Sequence, residues 1–343
     1  MLAIPGFVDP HTHIPFYGER SEEFALRAAG KSYVEILKSG GGIYSTVKKV
    51  RGVSIDALVI ENTKYLEWML KSGVTSLECK SGYGLDFKNE LKQLRAIKKL
   101  SEKVPQTLIS TFLGAHAVPP KGEKAYFTEL IDMMKVIKSE SLAEFVDVFC
   151  DEGAFSVESS FELLKLAKNM GFKIRAHAEE LSSNGFASKA AELGAVSVDH
   201  IIKIKDEEIS TLKKYGTIAL LMPTTSFYLK TAYAPARKLI DNGVPVALGS
   251  DFNPGSNTFY SPLFVSHLAV NHLGMTPTEA LTAQTLNAAC VLGIENEVGT
   301  IETGKNADIV ILDAPRLEYI SYMPTNEIVK AVFKNGKLVT ANE

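Results

Sequence analysis

Four short runs hold the residue types that bind metal ions and move protons. They are Asp9-Pro10-His11-Thr12-His13, His177-Ala178-Glu179-Glu180, Asp199-His200 and Gly249-Ser250-Asp251-Phe252-Asn253-Pro254-Gly255. In an extended strand, residues two apart share a face, so His11 and His13 can aim both imidazoles at one ion. Taken alone, that pair could also be two surface histidines near a strand end. A lone His177 or His200 is more often a core histidine, and Asp251 could be a turn aspartate. Together, His11, His13, His177 and Asp251 would supply three nitrogens and one oxygen to one divalent metal, with room left for a water. That is an open, catalytic arrangement rather than a closed structural one. Glu180 lies three residues after His177; beyond a strand end it can reach that water as a general base. Glu179 reads as its solvent-facing neighbour. His200 can stabilise charge as it develops on a substrate oxygen.

These runs need elements that bring them together. Eight apolar strand candidates run from Pro5 to His13, Val74 to Gly82, Thr107 to His116, Phe145 to Ala154, Lys173 to Ala178, Val196 to Ile201, Thr217 to Pro223 and Val244 to Asp251. Several are apolar on consecutive positions, as parallel strands covered on both faces are. Helical patterns lie between them. From Ile55 to Ser72, for example, Leu58, Val59, Asn62, Leu66, Met69 and Leu70 share a face. Gly73, Gly171, Gly194, Gly216 and Gly243 close such patterns, as glycines do after helix C-termini. Eight such units predict an α/β fold, a (β/α)8 TIM barrel; an open doubly wound sheet is the rival. Chemistry at the C-terminal strand ends favours the barrel.

The tail breaks the cadence. Ser261 to Gly274 and Pro277 to Leu292 read as helices. Strand-like pieces follow, with an Asn335-Gly336 hairpin signal. The expected division is a hydrolase barrel over 1–297 and appended strands over 298–343. His267 and His272 lie on a helical pattern and read as structural or surface residues.

The 343 residues carry 37 Lys+Arg against 40 Asp+Glu, a formal charge of -3. That balance argues against a nucleic-acid binder and against an acidic disordered chain. Cys79, Cys150 and Cys290 are too few and too scattered for a disulfide framework or a zinc finger, which suits a reducing cytoplasm. No signal peptide and no apolar run long enough for a membrane helix is read.

The His-x-His, His, His, Asp pattern resembles the amidohydrolase superfamily. Other segments narrow the resemblance to the imidazolonepropionase family: Gly18 to Phe24 with Arg20, Tyr33, Gly40 to Ile43, Ser45-Thr46-Val47, Arg51, Lys80 to Leu85, Phe112 to His116, and Asp251 to Ser256. The family hydrolyses 4-imidazolone-5-propanoate to N-formimidoyl-L-glutamate in histidine degradation. The resemblance implies metal ligation by His11, His13, His177 and Asp251, with one zinc or iron per chain. It implies Glu180 and His200 as catalytic residues, with Asp251 also holding the water. It implies substrate contacts from Arg20, Tyr83, His116, Glu180, Asn253, Gly255 and Ser256. Arg20 is suited to a carboxylate tail. A bridging carboxylated lysine, which binuclear relatives carry on the fourth strand, has no counterpart in Phe145 to Asp151.

Two other functions compete: a purine or pyrimidine aminohydrolase, and a catalytically dead scaffold. Arg20 and Tyr83 oppose the first, because a neutral base has no carboxylate to hold; the intact ligand set opposes the second. The resemblance further implies a cytoplasmic homodimer acting on a small molecule, with no nucleic acid or membrane partner. It also implies that several strands normally precede Pro5. The appended strands would then form an incomplete β-sandwich from the chain ends, with exposed edges and poor solubility or stability.

Overall fold

The computed structural model describes residues 1–31, 35 and 41–341. Tyr33 and Gly40, both part of the resemblance, lie outside the described residues. Eight parallel strands form one sheet in sequence order: β2 (Phe7–Asp9), β3 (Val74–Lys80), β4 (Thr107–Ala115), β5 (Phe145–Cys150), β6 (Lys173–Ala178), β7 (Ser197–His200), β8 (Ile218–Leu221) and β9 (Val246–Leu248). The ring closes beyond the strand ends. Thr12 bridges Phe252 in parallel, the Asp251 amide donates to His11 O (2.9 Å), and the His13 amide donates to Phe252 O (3.0 Å). The architecture is therefore a TIM barrel.

The helices that coat it follow the apolar spacing. In Ile55–Lys71, the buried residues are Leu58, Val59, Asn62, Leu66, Met69 and Leu70, the face predicted from their periodicity. Ser54 caps that helix, its hydroxyl accepting from the Ala57 amide at 3.1 Å. Pro277 to Leu292, read as one helix, is two: Pro277–Ala283 and Leu286–Leu292. The break has a physical reason. The Gln284 carbonyl accepts from the Val8 amide at 2.9 Å and so serves β2.

The predicted strand from Pro5 to His13 keeps only Phe7–Asp9 as β2, and its first residue, Pro5, ends a separate strand that begins at Leu2. Leu2–Pro5 forms β1, which pairs antiparallel with β10 (Ile309–Leu312). At Gly6 the chain changes sheets. Its amide donates to Asp308 O (2.7 Å), whereas the next amide, Phe7, donates to Gly73 O on the barrel side (3.0 Å). β11 (Val329–Lys334) and β12 (Lys337–Ala341) complete a four-stranded antiparallel sheet drawn from both chain ends, in the order β1-β10-β11-β12. Asn335 and Gly336 both have positive φ, the conformation of the expected tight hairpin. Lys334 ties this sheet to the barrel, with Nζ 2.6 Å from Asp308 Oδ2 and 2.8 Å from Thr107 Oγ1 at the start of β4. No helix among the described residues is long and apolar enough to cross a membrane.

Barrel interiors are usually filled by branched apolar side chains. This one holds charges. Lys80 Nζ lies 2.5 Å from Glu78 Oε2 and 3.2 Å from Asp147 Oδ2. Arg175 reaches Glu78 Oε1 (2.5 Å) and Asp199 Oδ2 (2.8 Å). All five side chains are fully buried.

Candidate active site

The charged floor lies beneath a group of imidazoles at the C-terminal strand ends. β2 stops at Asp9, so His11 and His13 stand on the extended segment beyond it. The Asp9 carboxylate fixes that segment, accepting from the Ser250 amide (3.0 Å) and the His11 amide (3.3 Å). The ring centroids of His11 and His13 are 5.3 Å apart, and those of His11 and His177 are 4.6 Å apart. Asp251 Oδ1 lies 3.1 Å from His13 Nε2 and 3.7 Å from His11 Nε2. Its other oxygen accepts from the Thr225 hydroxyl at 2.6 Å. Against the effect of burial, His13 first, then His200 and the Thr225 hydroxyl, hold the Asp251 carboxyl well below the ordinary carboxylate range.

These residues fit a divalent cation. The ligand atoms of His11, His13 and Asp251 lie within 4.8 Å of one another, as do those of His11, His177 and His200. His11 Nε2 and His177 Nε2 are buried without a hydrogen-bond partner, a costly state for a ring nitrogen unless something accepts its lone pair. Their other nitrogens each face a carboxylate. His11 Nδ1 makes a 2.8 Å hydrogen bond with Asp199 Oδ2, whereas His177 Nδ1 has Asp147 Oδ2 3.0 Å away as an ionic neighbour without an aligned hydrogen bond. Asp199 therefore favours the His11 tautomer that directs its Nε2 lone pair into the mouth. Burial keeps both rings neutral, with His177 pushed down to about 3.

Glu180 reaches the site on a turn. Glu179 has φ +55°, which swings the chain off the line of β6. Glu180 Oε1 then lies 3.7 Å from His200 Nδ1. Burial raises the Glu180 carboxyl above its ordinary range; His200 opposes this shift, while Asp251 and Asp151 add to it. Glu179 is not solvent-facing. It is fully buried because the turn sends its side chain inward, where it accepts from the Ala187 amide at 3.4 Å. His200, Ile201 and Asp251 also have positive φ. Such strain in non-glycine residues concentrates at functional sites.

The residues expected to touch substrate flank this centre. Tyr83 is buried, with ring centroids 6.0 Å from His13 and 5.3 Å from His116. His116 stacks on His13 at 5.0 Å, and its Nδ1 is 3.0 Å from Gly82 O, which leaves Nε2 unclaimed by that contact. Arg20 gives Nε and Nη2 to Glu23 Oε2 (2.9 and 2.7 Å). Its Nη1 packs on Gly255 so closely that a Cβ there would stand 2.1 Å away. Asn253 and Ser256 are tied to each other. Asn253 Oδ1 accepts from the Gly255 and Ser256 amides, both at 2.8 Å, and its Nδ2 donates to Asp251 O at 2.7 Å. His267 and His272 sit away from the mouth: His267 Nδ1 is 2.9 Å from Ser321 O, and His272 stacks on Tyr233.

Comparison with known proteins agrees with this geometry. The amidohydrolase family model matches residues 2–339. An imidazolonepropionase of Kosmotoga olearia is 48% identical over 340 residues, covering 98% of this chain and 83% of that protein. The chain belongs to the imidazolonepropionase family of amidohydrolases. An imidazolonepropionase of Caldanaerobacter subterraneus subsp. tengcongensis is 47% identical, covering 96% of this chain and 82% of its own length. Among solved structures, the guanine deaminase of E. coli superposes with a TM-score of 0.75 at 15% identity, covering 100% of this chain and 84% of that one. A zinc-bound adenosine deaminase from Xanthomonas campestris gives 0.72 at 18%, covering 98% and 80%. At those identities the likeness is one of fold.

Sequence reasoning about this imidazolonepropionase family member missed the floor: Glu78, Asp147 and Arg175 receive no role, and Asp199 enters only as the neighbour of His200. A signal was present. Glu78 and Lys80, Arg175 and His177, and Ser197 and Asp199 are polar pairs two apart in buried strands. That spacing marks one strand face.

Proposed function

We infer that this chain opens the ring of 4-imidazolone-5-propanoate by hydrolysis, giving N-formimidoyl-L-glutamate. The observation that carries this reading is the convergence, at one barrel mouth, of an imidazole–carboxylate cluster, the Glu180–His200 pair and the Arg20 guanidinium. His11, His13, His177 and Asp251 would hold one divalent ion, zinc or iron. When bound, that ion supplies a Lewis acid for the amide carbonyl and for the attacking water.

The chain's own residues do the rest. Glu180, with its carboxyl raised by burial, takes a proton from the attacking water and returns it to the departing ring nitrogen. His200 faces the oxygen on which negative charge gathers. Asp251 keeps Oδ1 toward the imidazoles because Thr225 occupies Oδ2. Arg20 offers its Nη1 side to the substrate carboxylate, and Tyr83 and His116 offer polar atoms to the ring. Gly255 leaves space for the Arg20 guanidinium, while Asn253 and Ser256 hold that loop in shape near the ring.

An aminohydrolase acting on a neutral base would have no use for a guanidinium at this rim. A cytoplasmic homodimer that binds no nucleic acid completes the reading. Light scattering should then give twice the 37.4 kDa chain mass.

The test is to follow loss of imidazolonepropanoate absorbance beside metal analysis. Turnover with about one zinc or iron per chain is expected, lost on chelation and restored by the ion. Fully loaded protein that leaves the imidazolone intact but deaminates a purine or pyrimidine would overturn the assignment.

A further inference from the structure

Asp151 is the residue after β5, and its side chain is buried. Its two carboxylate oxygens collect five hydrogen bonds. Oδ2 accepts from the amides of Glu180 (2.9 Å) and Leu181 (2.8 Å). Oδ1 accepts from the Ser182 amide (2.9 Å), the Ser182 hydroxyl (2.5 Å) and the Glu152 amide (2.8 Å). Four of these five donors belong to residues 180–182, the segment that carries Glu180.

Amides on an exposed rim can be satisfied by water, and Leu181 is 55% exposed. Here one buried carboxylate gathers three consecutive amides instead. On the other side of Glu180, the Glu179 carbonyl accepts from the Lys203 amide at 2.8 Å, and Glu179 holds its left-handed φ. The backbone at Glu180 is thus pinned from both directions. Only its side-chain torsions remain to be set, and Oε1 comes to rest 3.7 Å from His200 Nδ1.

The geometry points to Asp151 as a positioning residue that fixes the carboxylate of Glu180 over the imidazole cluster. This rests on the reading of Glu180 as the proton carrier. An asparagine at 151 keeps the size but replaces one acceptor oxygen with an NH2. Whichever way the amide turns, some donors of the segment then meet a donor. The expected consequence is a shifted Glu180, and misplacement of a reacting group by about 1 Å costs on the order of a hundredfold in rate.

The experiment compares Asp151→Asn, Glu180→Gln and the double variant for kcat, KM and bound metal. Asp151→Asn should lower kcat about 10- to 100-fold, with KM and metal content within about twofold of wild type. In the Glu180→Gln background it should cost less than about threefold more, because the group it positions is already disabled. Ser182→Ala removes only the hydroxyl donor and should lower kcat several-fold with the same lack of effect on KM. That variant carries the test if Asp151→Asn does not fold. Wild-type kcat in both variants, loss of metal, or losses that multiply with Glu180→Gln would overturn the assignment. Full activity of Glu180→Gln alone would instead sink the reading of Glu180, and the role of Asp151 with it.

Discussion

Asp199 Oδ2 stands 2.8 Å from His11 Nδ1 and equally 2.8 Å from Arg175 Nη2. One carboxylate oxygen thus links a candidate ligand to the charged floor. Asp199→Asn keeps the shape but can hold His11 in the wrong tautomer. Metal affinity, measured by competition with a chelator, should fall about 10- to 100-fold. Unchanged affinity would mean that the ring is oriented by packing alone.

Arg20 should govern substrate affinity and leave the metal alone. Arg20→Met removes a charge-assisted hydrogen bond, which is worth about 1.5–3 kcal/mol. KM should rise about 10- to 100-fold at wild-type metal content. Loss of metal uptake would instead place Arg20 in the metal centre.

Gly255 tests the same contact from the other side. Gly255→Ala puts a methyl where the Arg20 guanidinium lies, 2.1 Å from Nη1. It should raise KM in the same direction and add little in an Arg20→Met background. A multiplied loss would show that Gly255 acts elsewhere.

Lys80 compensates two buried carboxylates, Glu78 and Asp147. Lys80→Met takes the lysine from both, leaving Glu78 with Arg175 alone. Breaking such a pair from one side costs about 3–5 kcal/mol, which urea denaturation would read. A loss under about 1 kcal/mol would mean that the remaining Arg175 suffices.

Glu90 gives stability a pH dependence remote from the metal. It lies in the first turn of the helix Phe87–Ser101 and accepts from the Gly84 and Leu85 amides (2.7 and 2.8 Å), bracing the loop that carries Tyr83. Burial raises it from 4.5 to about 7. Below the lower value both folded and unfolded chains hold the proton, and its stabilising contribution is complete. As pH rises through the folded value, the unfolded chain has already lost the proton and the folded one gives it up at a cost. Stability therefore falls with rising pH, by on the order of 2–3 kcal/mol between about pH 5 and 8. Glu90→Gln should remove this slope in denaturation curves taken across that range; parallel curves would refute it.

Much of this was legible in the residues. Consecutive apolar strand positions mark parallel strands covered on both faces, and the eight-unit cadence with chemistry at successive strand ends favours the barrel over a doubly wound sheet. The change of sheet at Gly6 was not legible. Pro5 and Phe7–Asp9 read as one strand, and only the distant partners, Ile309–Leu312 and Val74–Lys80, separate them. The short helices Ser21–Ala28 and Pro223–Leu229 carry too few turns for periodicity to show. Asp147 was hidden for another reason. In Phe145–Cys150 a single charge among apolar residues does not declare its partner, and its partner His177 lies on the neighbouring strand.

The left-handed residues at the mouth have a further consequence. Ile201 is β-branched and holds φ +43°, directly after His200 at +71°, a conformation that glycine adopts without difficulty and isoleucine does not. Glycine at such a position can relieve strain and raise the melting temperature while letting the imidazole next to it drift. Durability and competence then pull in opposite directions along this short stretch of chain. A library screened for heat resistance alone would be expected to drift toward sound barrels that no longer turn over substrate.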